Sequence, residues 1–342
     1  MQPTLHAIFQ NGMVFAEGKP IRIFGTGSGR VEIRFLGKTA ETVCTGKEDR
    51  WMIEFPAQHP GGPYTMEIYL DGQRKTLTDL YIGKVILLAG QSNVQYKLGE
   101  SAAVLGDSSD TVPQDCEMLR LYTLARLEEN EFYHPEDGWV PCWTENAVNW
   151  SAIGYYMGRS LYEQYGNAIG MIACYQGASV IESWIPKGTM EALGIRLPAE
   201  ELHTDHTEPL YHMWNQDGVL YDRMLREVAP FSVSEVVWYQ GESDTTLAEG
   251  NVYDIVLAEL IRIWRREFCD DALPFIVVQI ADFDERQDEG WRAVQAAQLR
   301  VPDRVSLVKT VLSADVCETH DIHPPTKDVL ARRIADAVLE FD

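Results

Sequence analysis

Residues 85–93 read VILLAGQSN, a run of five small or aliphatic residues that ends at a glycine and passes into a polar turn. An uninterrupted apolar run of this kind is typical of a strand buried on both faces of a parallel sheet. Open α/β sheets bind their ligands at the carboxyl ends of such strands. Ser92 is therefore the first candidate nucleophile, and an ordinary polar turn is the alternative.

The second part of the chain alternates short apolar runs with helical patterns. The apolar runs that predict strands are residues 168–174, 233–239, 275–280 and 305–311. Residues 152–165 and 252–268 have a helical pattern, and a last helix is expected after Pro324 and Pro325, with Thr326 as its N-cap. Alternating strands and helices predict a doubly wound, mostly parallel sheet.

Residues 1–80 have a different pattern, in which apolar and polar side chains alternate between turns rich in glycine and proline. This pattern predicts a small antiparallel β-sandwich, which we interpret as an ancillary domain because it holds no catalytic constellation. The α/β domain would then cover residues 81–342. Within it, residues 184–217 are rich in Pro, His, Asp and Glu, and we expect them to form an insertion over the sheet edge.

Charge and hydropathy exclude several classes of partner. With 29 basic and 52 acidic residues the formal net charge is -23, which repels nucleic acid and anionic membrane surfaces. No apolar stretch approaches the roughly 18 to 20 residues that cross a bilayer, and the first residues do not resemble a signal peptide. We therefore expect a cytoplasmic protein, or a secreted one if a signal peptide has been removed.

The sequence offers little support for a metal site. The six cysteines lie far apart without a CxxC pair, so neither a zinc site nor a dense disulfide framework is indicated. His203, Asp205 and His206 have side chains that can bind a metal ion. In a polar, acidic insertion such residues are more often solvated, and we expect no metal there.

A serine nucleophile needs a base, and it needs donors for the oxyanion that forms during acyl transfer. His323 follows the last predicted strand, in a loop stiffened by two prolines, and is the candidate base. Gly177 follows another predicted strand and offers a backbone N–H. Within WYQGESD, the amide of Gln240 can donate, whereas an ionised Glu242 can only accept. Gln240 is therefore the candidate third donor, and Glu242 is expected to brace the loop.

GQSN, WYQGESD and DIHPP occur in this order after an N-terminal β region. In these motifs the chain resembles the sialate O-acetylesterase and acetylxylan-esterase-like branch of the SGNH (GDSL-type) hydrolases. FQNGMVF, LPFIVVQIADF and WRAVQAAQ also resemble that branch, so the similarity covers nearly the whole chain. It implies an SGNH-hydrolase-like, flavodoxin-like α/β fold, with a parallel sheet flanked by helices.

The resemblance also implies roles for individual residues. Ser92 would be the nucleophile and His323 the base, and the oxyanion would be held by the N–H groups of Ser92 and Gly177 and by Gln240. The supporting residues within these motifs are Gln91, Asn93 and Glu242. The resemblance implies neither a metal ion nor an organic cofactor.

The chain departs from the superfamily pattern at the acid of the triad. An aspartate commonly lies three residues before the histidine, where this chain has His320, whereas Asp321 lies two before. In an extended segment residues two apart point the same way, so we expect Asp321 to orient His323. The alternatives are a Ser–His dyad oriented by a backbone carbonyl, or an acid from elsewhere, such as Asp315 or Glu318.

These features together predict a serine esterase that removes O-acetyl groups from a carbohydrate through an acetyl-enzyme. The sequence does not identify the sugar, because the carboxylate of sialic acid would require an arginine and the motifs contain none. Arg159, Arg196 and Arg223 lie outside them, and Gln295-Ala296 stands where family members tend to carry Arg-Glu. An acetylated xylan or other hemicellulose fragment fits equally well. A carbohydrate-binding protein with a vestigial esterase site is the alternative from another class.

Overall fold

The computed structural model describes residues 2–45, 50–105, 114–127, 138–286 and 288–341. It has a mixed α/β fold with one large mixed sheet and a smaller three-stranded sheet. The strands are β1 (Thr4–Leu5), β2 (Val14–Ala16), β3 (Ile21–Thr26), β4 (Gly29–Phe35), β5 (Lys38–Cys44), β6 (Arg50–Phe55), β7 (Gly61–Leu70), β8 (Gln73–Gly90), β9 (Cys116–Thr123), β10 (Val140–Cys142), β11 (Ile169–Tyr175), β12 (Glu235–Tyr239), β13 (Phe275–Val278) and β14 (Val308–Val311). The helices are α1 (Ser92–Gln95), α2 (Leu98–Leu105), α3 (Thr144–Ala147), α4 (Ala152–Tyr165), α5 (Thr189–Ala192), α6 (Arg226–Val228), α7 (Leu247–Gly250), α8 (Tyr253–Glu267), α9 (Glu289–Arg304) and α10 (Asp328–Leu339).

Strand β8 is 18 residues long and connects the N-terminal strands to the parallel part of the large sheet. Its first half pairs antiparallel with β7, and residues 81–83 pair parallel with β2. Its second half lies between β11 and β12, parallel to both. The boundary predicted between residues 80 and 81 therefore falls within one continuous strand. The division into two domains stays a prediction.

The parallel strands lie side by side in the order β9, β11, β8, β12, β13, β14, and β10 pairs antiparallel with β9 at the edge. The chain thus adds strands on both sides of β8, as a doubly wound sheet requires. The five strands β11, β8, β12, β13 and β14 have the order 2-1-3-4-5, which is the flavodoxin order. Strand β9, which lies between β8 and β11 in sequence, adds a sixth parallel strand next to β11.

Alternate residues of β8 contribute to the two faces of the sheet, because successive side chains of a strand point to opposite sides. Val85, Leu87 and Ala89 belong to a buried cluster that includes residues of α8 and α9. Ile86 and Leu88 belong to a second buried cluster that includes residues of α4 and α10. The strand is covered on both faces, and this explains its continuous apolar sequence.

The helix pattern predicted for residues 152–165 coincides with α4, and that for residues 252–268 with α8. The prediction that Thr326 caps the last helix is wrong. Helix α10 begins at Asp328, and its N-cap position is occupied by Lys327. The hydroxyl of Thr326 instead donates to the carboxylate of Glu318, which directs it away from the helix end.

The N-terminal strands are antiparallel to one another within two groups. Strand β3 pairs with β1 and β6, and β4 pairs with β5 and β7. Val31, Ile33 and Phe35 of β4 are buried and alternate with more exposed polar residues, as the sequence pattern predicts. That these strands form a separate sandwich stays a prediction. Across the described ranges, no helix has the length and apolar character needed to cross a membrane.

Candidate active site

Three strand ends meet at one level of the parallel sheet. Gly90 of β8 lies opposite Tyr175 of β11 and Tyr239 of β12. Gly90 has a φ of 131°, and a Cβ at this position would lie 2.0 Å from the carbonyl oxygen of Tyr239. Glycine alone permits this approach, so the chain turns sharply after the strand and presents Ser92 at the start of α1.

Ser92 and His323 are in direct contact. The Ser92 Oγ lies 2.8 Å from the Nε2 of His323, which belongs to the loop between β14 and α10. Burial lowers the pKa of His323, the positive charge of Lys327 lowers it further, and Asp321 and Glu100 oppose this shift. A neutral imidazole with its proton on Nδ1 can accept the serine proton at Nε2. The structure thus brings the predicted nucleophile and base together.

Asp321 contacts the backbone of His323 and not its ring. Its Oδ1 accepts the backbone N–H of His323 at 2.8 Å, and the side chain is exposed. Of the two alternative acids, Asp315 pairs with Arg333 and Glu318 accepts from Thr326. Within the described ranges, the hydrogen bonds give the ring Nδ1 no carboxylate partner. The orienting role of Asp321 stays a prediction.

Ser92 and Gly177 line one cavity of about 590 Å³, together with His323. In the part of the chain that the structure describes, the backbone N–H groups of Ser92 and Gly177 have no acceptor. Two unpaired N–H groups beside a nucleophile are the arrangement that stabilises an oxyanion. The volume is within the range of about 300 to 1,000 Å³ of small-ligand sites.

The structure does not support the predicted role of Gln240 as an oxyanion donor. Its Nε2 donates to the carbonyl of Ser179 at 2.8 Å and to the carboxylate of Asp244, and its Oε1 accepts from the hydroxyl of Tyr253. Both amide hydrogens are therefore occupied inside the fold, and the residue has no exposed surface. Residue type alone did not reveal this orientation.

Gln91 lies closer to the required position, because it lines the same cavity as Ser92. Its Nε2 donates to Ser243 Oγ at 3.3 Å, and its Oε1 accepts from the N–H of Gly241. Among the described residues, its second amide hydrogen has no acceptor. Its position beside the nucleophile at the strand end was the signal that could have identified it as a donor.

Asn93 connects the end of β8 with the loop that carries the histidine. Its Nδ2 donates to Glu242 Oε1 at 2.6 Å and to the Ile322 carbonyl at 2.9 Å. Its Oδ1 accepts from the buried Lys327 Nζ at 2.6 Å. Burial raises the pKa of Glu242 and lowers the pKa of Lys327 to about 8. Lys327 was missed in the sequence, where it reads as an ordinary surface lysine.

The HTDH segment is divided between two sites. His203 and Asp205 line the catalytic cavity, whereas His206 lies beside Asp244 and Glu249, with donor atoms within 4.8 Å of one another. His206 Nε2 lies 2.8 Å from the Glu249 carboxylate. The segment therefore does not form the single three-residue set that the sequence allowed.

Arg286 is the arginine that sequence reasoning missed. Among the described residues that line the catalytic cavity it is the one arginine. Arg159 and Arg196 pair instead with glutamates outside this cavity. Arg286 lies in the loop between β13 and α9. This loop begins at the edge of the sheet where β8 also ends and is followed by Ser92. The position of this loop at a strand end was the available signal.

Comparisons with known proteins point to one family of enzymes. The family "carbohydrate esterase, sialic acid-specific acetylesterase" matches residues 82–340. The sialate O-acetylesterases of Pongo abelii and Homo sapiens are each 26% identical over 322 residues, which cover 86% of this chain and 60% of the relative. The chain thus spans about 60% of the length of these relatives.

A solved carbohydrate acetylesterase from Xanthomonas citri has the same fold over nearly the whole chain. It superimposes with a TM-score of 0.80 at 26% identity, covering 98% of this chain and 74% of that protein. The family match extends over most of the residues, from the middle of β8 to the end of α10. The chain therefore belongs to the carbohydrate esterase family of sialic acid-specific acetylesterases.

Proposed function

We propose that this chain is a serine esterase that hydrolyses O-acetyl esters of sialic acids or related sugars. The observation that carries this proposal is the 2.8 Å contact between Ser92 Oγ and His323 Nε2. The contact lies in a cavity that Ser92 and Gly177 line, and the backbone N–H groups of both residues have no acceptor among the described residues. We infer further that residues 81–342 form an SGNH-type hydrolase domain and residues 1–80 an ancillary β-sandwich.

The reaction begins when Ser92 Oγ attacks the acetyl carbonyl while His323 Nε2 accepts its proton. The N–H groups of Ser92 and Gly177 stabilise the resulting oxyanion, and the Gln91 amide supplies a third donor. Collapse of the intermediate breaks the bond to the sugar oxygen, which takes the proton from His323. Water, deprotonated by the same histidine, then attacks the acetyl-enzyme. The ester bond to Ser92 breaks, His323 returns the proton to Ser92 Oγ, and acetate is released.

Asp321 assists this cycle through the backbone and through its charge. Its hydrogen bond to the His323 N–H fixes the loop, and its negative charge raises the pKa of the imidazole. A carboxylate near the ring stabilises the imidazolium that forms in each half of the reaction. We therefore assign Asp321 a positioning role in a Ser–His site.

The test is acetate release by the wild type and by Ser92→Ala from three esters: para-nitrophenyl acetate, an O-acetylated sialic acid and acetylated xylo-oligosaccharides. We expect the wild type to release acetate and Ser92→Ala to lose nearly all of this activity, because the remaining N–H donors supply only a small residual rate. Ser306→Ala, at an exposed serine, is the matched control and should behave as the wild type.

Two outcomes would contradict the proposal. Equal activity in Ser92→Ala and the wild type would remove Ser92 from the mechanism. A wild type that binds the sugars and releases no acetate from any ester would favour a carbohydrate-binding protein with a vestigial site. A preference for xylo-oligosaccharides over the sialic acid would instead identify a hemicellulose acetylesterase.

A further inference from the structure

The catalytic cavity contains one permanently charged cation among the residues that the structure describes, the guanidinium of Arg286. Arg286 belongs to the loop after β13. It contacts the insertion, which contributes His203 and Asp205 to the same cavity. The whole chain carries a net charge of -23, so an isolated positive charge here is not part of a general basic surface.

Two hydrogen bonds fix the orientation of the guanidinium. Arg286 Nη1 lies 2.7 Å from His203 Nε2, and Nη2 donates to Thr245 Oγ1 at 2.8 Å. Because arginine can only donate, His203 Nε2 accepts this hydrogen bond. On the other side of the ring, His203 Nδ1 lies 3.2 Å from the backbone N of Asp205 and 3.4 Å from its carboxylate. The guanidinium is therefore held by an imidazole nitrogen and a hydroxyl oxygen.

The acidic groups of the cavity act on Arg286 through charge and not through a close ion pair. Burial raises the pKa of Asp205, but the hydrogen bonds of His203 and Ser243 and the nearby charges of His203 and Arg286 lower it overall. Asp205 directs its Oδ2 to the hydroxyl of Ser243 at 2.6 Å and towards His203. Burial raises the pKa of Glu242, whose Oε1 accepts from Asn93. In the described ranges, Arg286 forms no ion pair with a carboxylate within 4.0 Å.

Most of the hydrogen-bonding capacity of Arg286 remains unused. A guanidinium has five N–H donors, and two of them are engaged with His203 and Thr245. The remaining three have no acceptor among the described residues. A fixed guanidinium with free donors in a ligand cavity suits a planar carboxylate, which it binds through two parallel charge-assisted hydrogen bonds.

We propose that Arg286 is a specificity-determining residue that binds the carboxylate of an acidic sugar while its acetyl ester lies at Ser92. This inference rests on the proposed esterase function. It favours an O-acetylated sialic acid, which carries a carboxylate, over a neutral acetylated xylo-oligosaccharide. His203 and Thr245 act through Arg286 as positioning residues.

The test uses two substrates that differ only at the carboxylate: an O-acetylated sialic acid and its C1 carboxamide. The ratio of their kcat/KM values does not depend on the fraction of folded enzyme, so a variant that folds poorly can still be interpreted. Charged hydrogen bonds predict that the wild type prefers the acid by about tenfold to hundredfold. Arg286→Met should bring the ratio close to one, and Arg286→Lys should retain part of the preference.

Arg196→Met is the matched control, because Arg196 lies in the insertion, is highly exposed and pairs with Glu191 outside this cavity. It should keep the wild-type ratio. A wild-type ratio near one, or an unchanged ratio in Arg286→Met, overturns the role of Arg286. The esterase function is judged separately, because it holds as long as the wild type hydrolyses para-nitrophenyl acetate. Failure of the wild type to hydrolyse any of the three esters overturns the esterase function and this inference with it.

Discussion

Two glutamines, Gln240 and Gln91, show that residue type alone does not predict which side chain can donate to the oxyanion. Gln240 and Gln91 both follow a strand end, and both carry an amide that can donate. The sequence favoured Gln240 as oxyanion donor, but its amide is consumed by Ser179, Asp244 and Tyr253. The orientation of Gln240 depends on Ser179, 61 residues away in the chain, and on Tyr253, 13 residues away, and no local pattern encodes these contacts.

Variants at these glutamines should separate catalysis from stability. Gln91→Ala removes a donor at the cavity, so kcat should fall by about a hundredfold. The hydrogen bonds that it loses, to Ser243 at 3.3 Å and from Gly241 at 3.4 Å, are long, so Tm should fall less than in Gln240→Ala. Gln240→Ala leaves buried partners unpaired, at a cost of roughly 1 to 3 kcal/mol each, so its Tm should fall. Steady-state kinetics and thermal unfolding of both variants decide this. A normal kcat in Gln91→Ala, with a lowered kcat and unchanged Tm in Gln240→Ala, would restore the original assignment.

The pH profile should depend on Lys327. Burial lowers the pKa of His323, the buried ammonium of Lys327 lowers it further, and Asp321 and Glu100 oppose this shift. The ring of Tyr96 stacks beside the imidazole. A lowered pKa keeps the base neutral at lower pH, so the acid limb of the pH profile of kcat/KM moves to lower pH. In Lys327→Met that positive charge is absent, and the acid limb should move to higher pH.

Profiles of kcat/KM from about pH 4 to 8 for the wild type and Lys327→Met test this, with hydrolysis of para-nitrophenyl acetate as the readout. Lys309→Met is the control, because Lys309 pairs with Glu340 at the surface and should leave the limb in place. A loss of activity at every pH, with the limb unmoved, would indicate that Lys327 acts only through packing.

At the scale of elements, the sequence predicted five of the six parallel strands and missed β9, the one next to β11. The runs at residues 85–90 and 168–174 form buried strands, since a continuous apolar stretch fits only a position covered on both faces. Strand ends on one sheet edge then placed Ser92 near His323. The insertion and the loop of Arg286 have no periodic pattern, and their contacts with the cavity could not be predicted.

The element that positions the base is the loop before α10, and Asn93 ties it to β8 through the Ile322 carbonyl. Asn93→Ala should loosen this loop, lowering kcat by about tenfold to hundredfold because small misplacements of a base are costly. Asn146→Ala, at the start of α3 away from this network, is the control. Kinetics with para-nitrophenyl acetate measure the effect. Wild-type kcat in Asn93→Ala would show that the loop is held by other contacts.

At the scale of the molecule, the N-terminal strands and the α/β part share one buried cluster. Phe231, which precedes β12, packs against the rings of Phe9 and Phe15 from the N-terminal region, with centroids 5.9 Å apart in both pairs. Arg22 of β3 donates to the Phe268 carbonyl at 2.9 Å. Because β8 also runs through the predicted boundary, the two parts should unfold together.

Calorimetry tests this cooperativity. We expect one transition whose calorimetric and van't Hoff enthalpies agree, and Phe231→Ala, a buried aromatic truncation, should lower that single Tm through a loss of about 3 to 5 kcal/mol. Val43→Ala, at an exposed position of β5, is the control. If Phe231→Ala instead splits the trace, or shifts one of two wild-type transitions, then residues 1–80 and 81–342 are thermodynamically independent domains. A single shifted transition means that the N-terminal strands contribute to the stability of the sheet that carries Ser92.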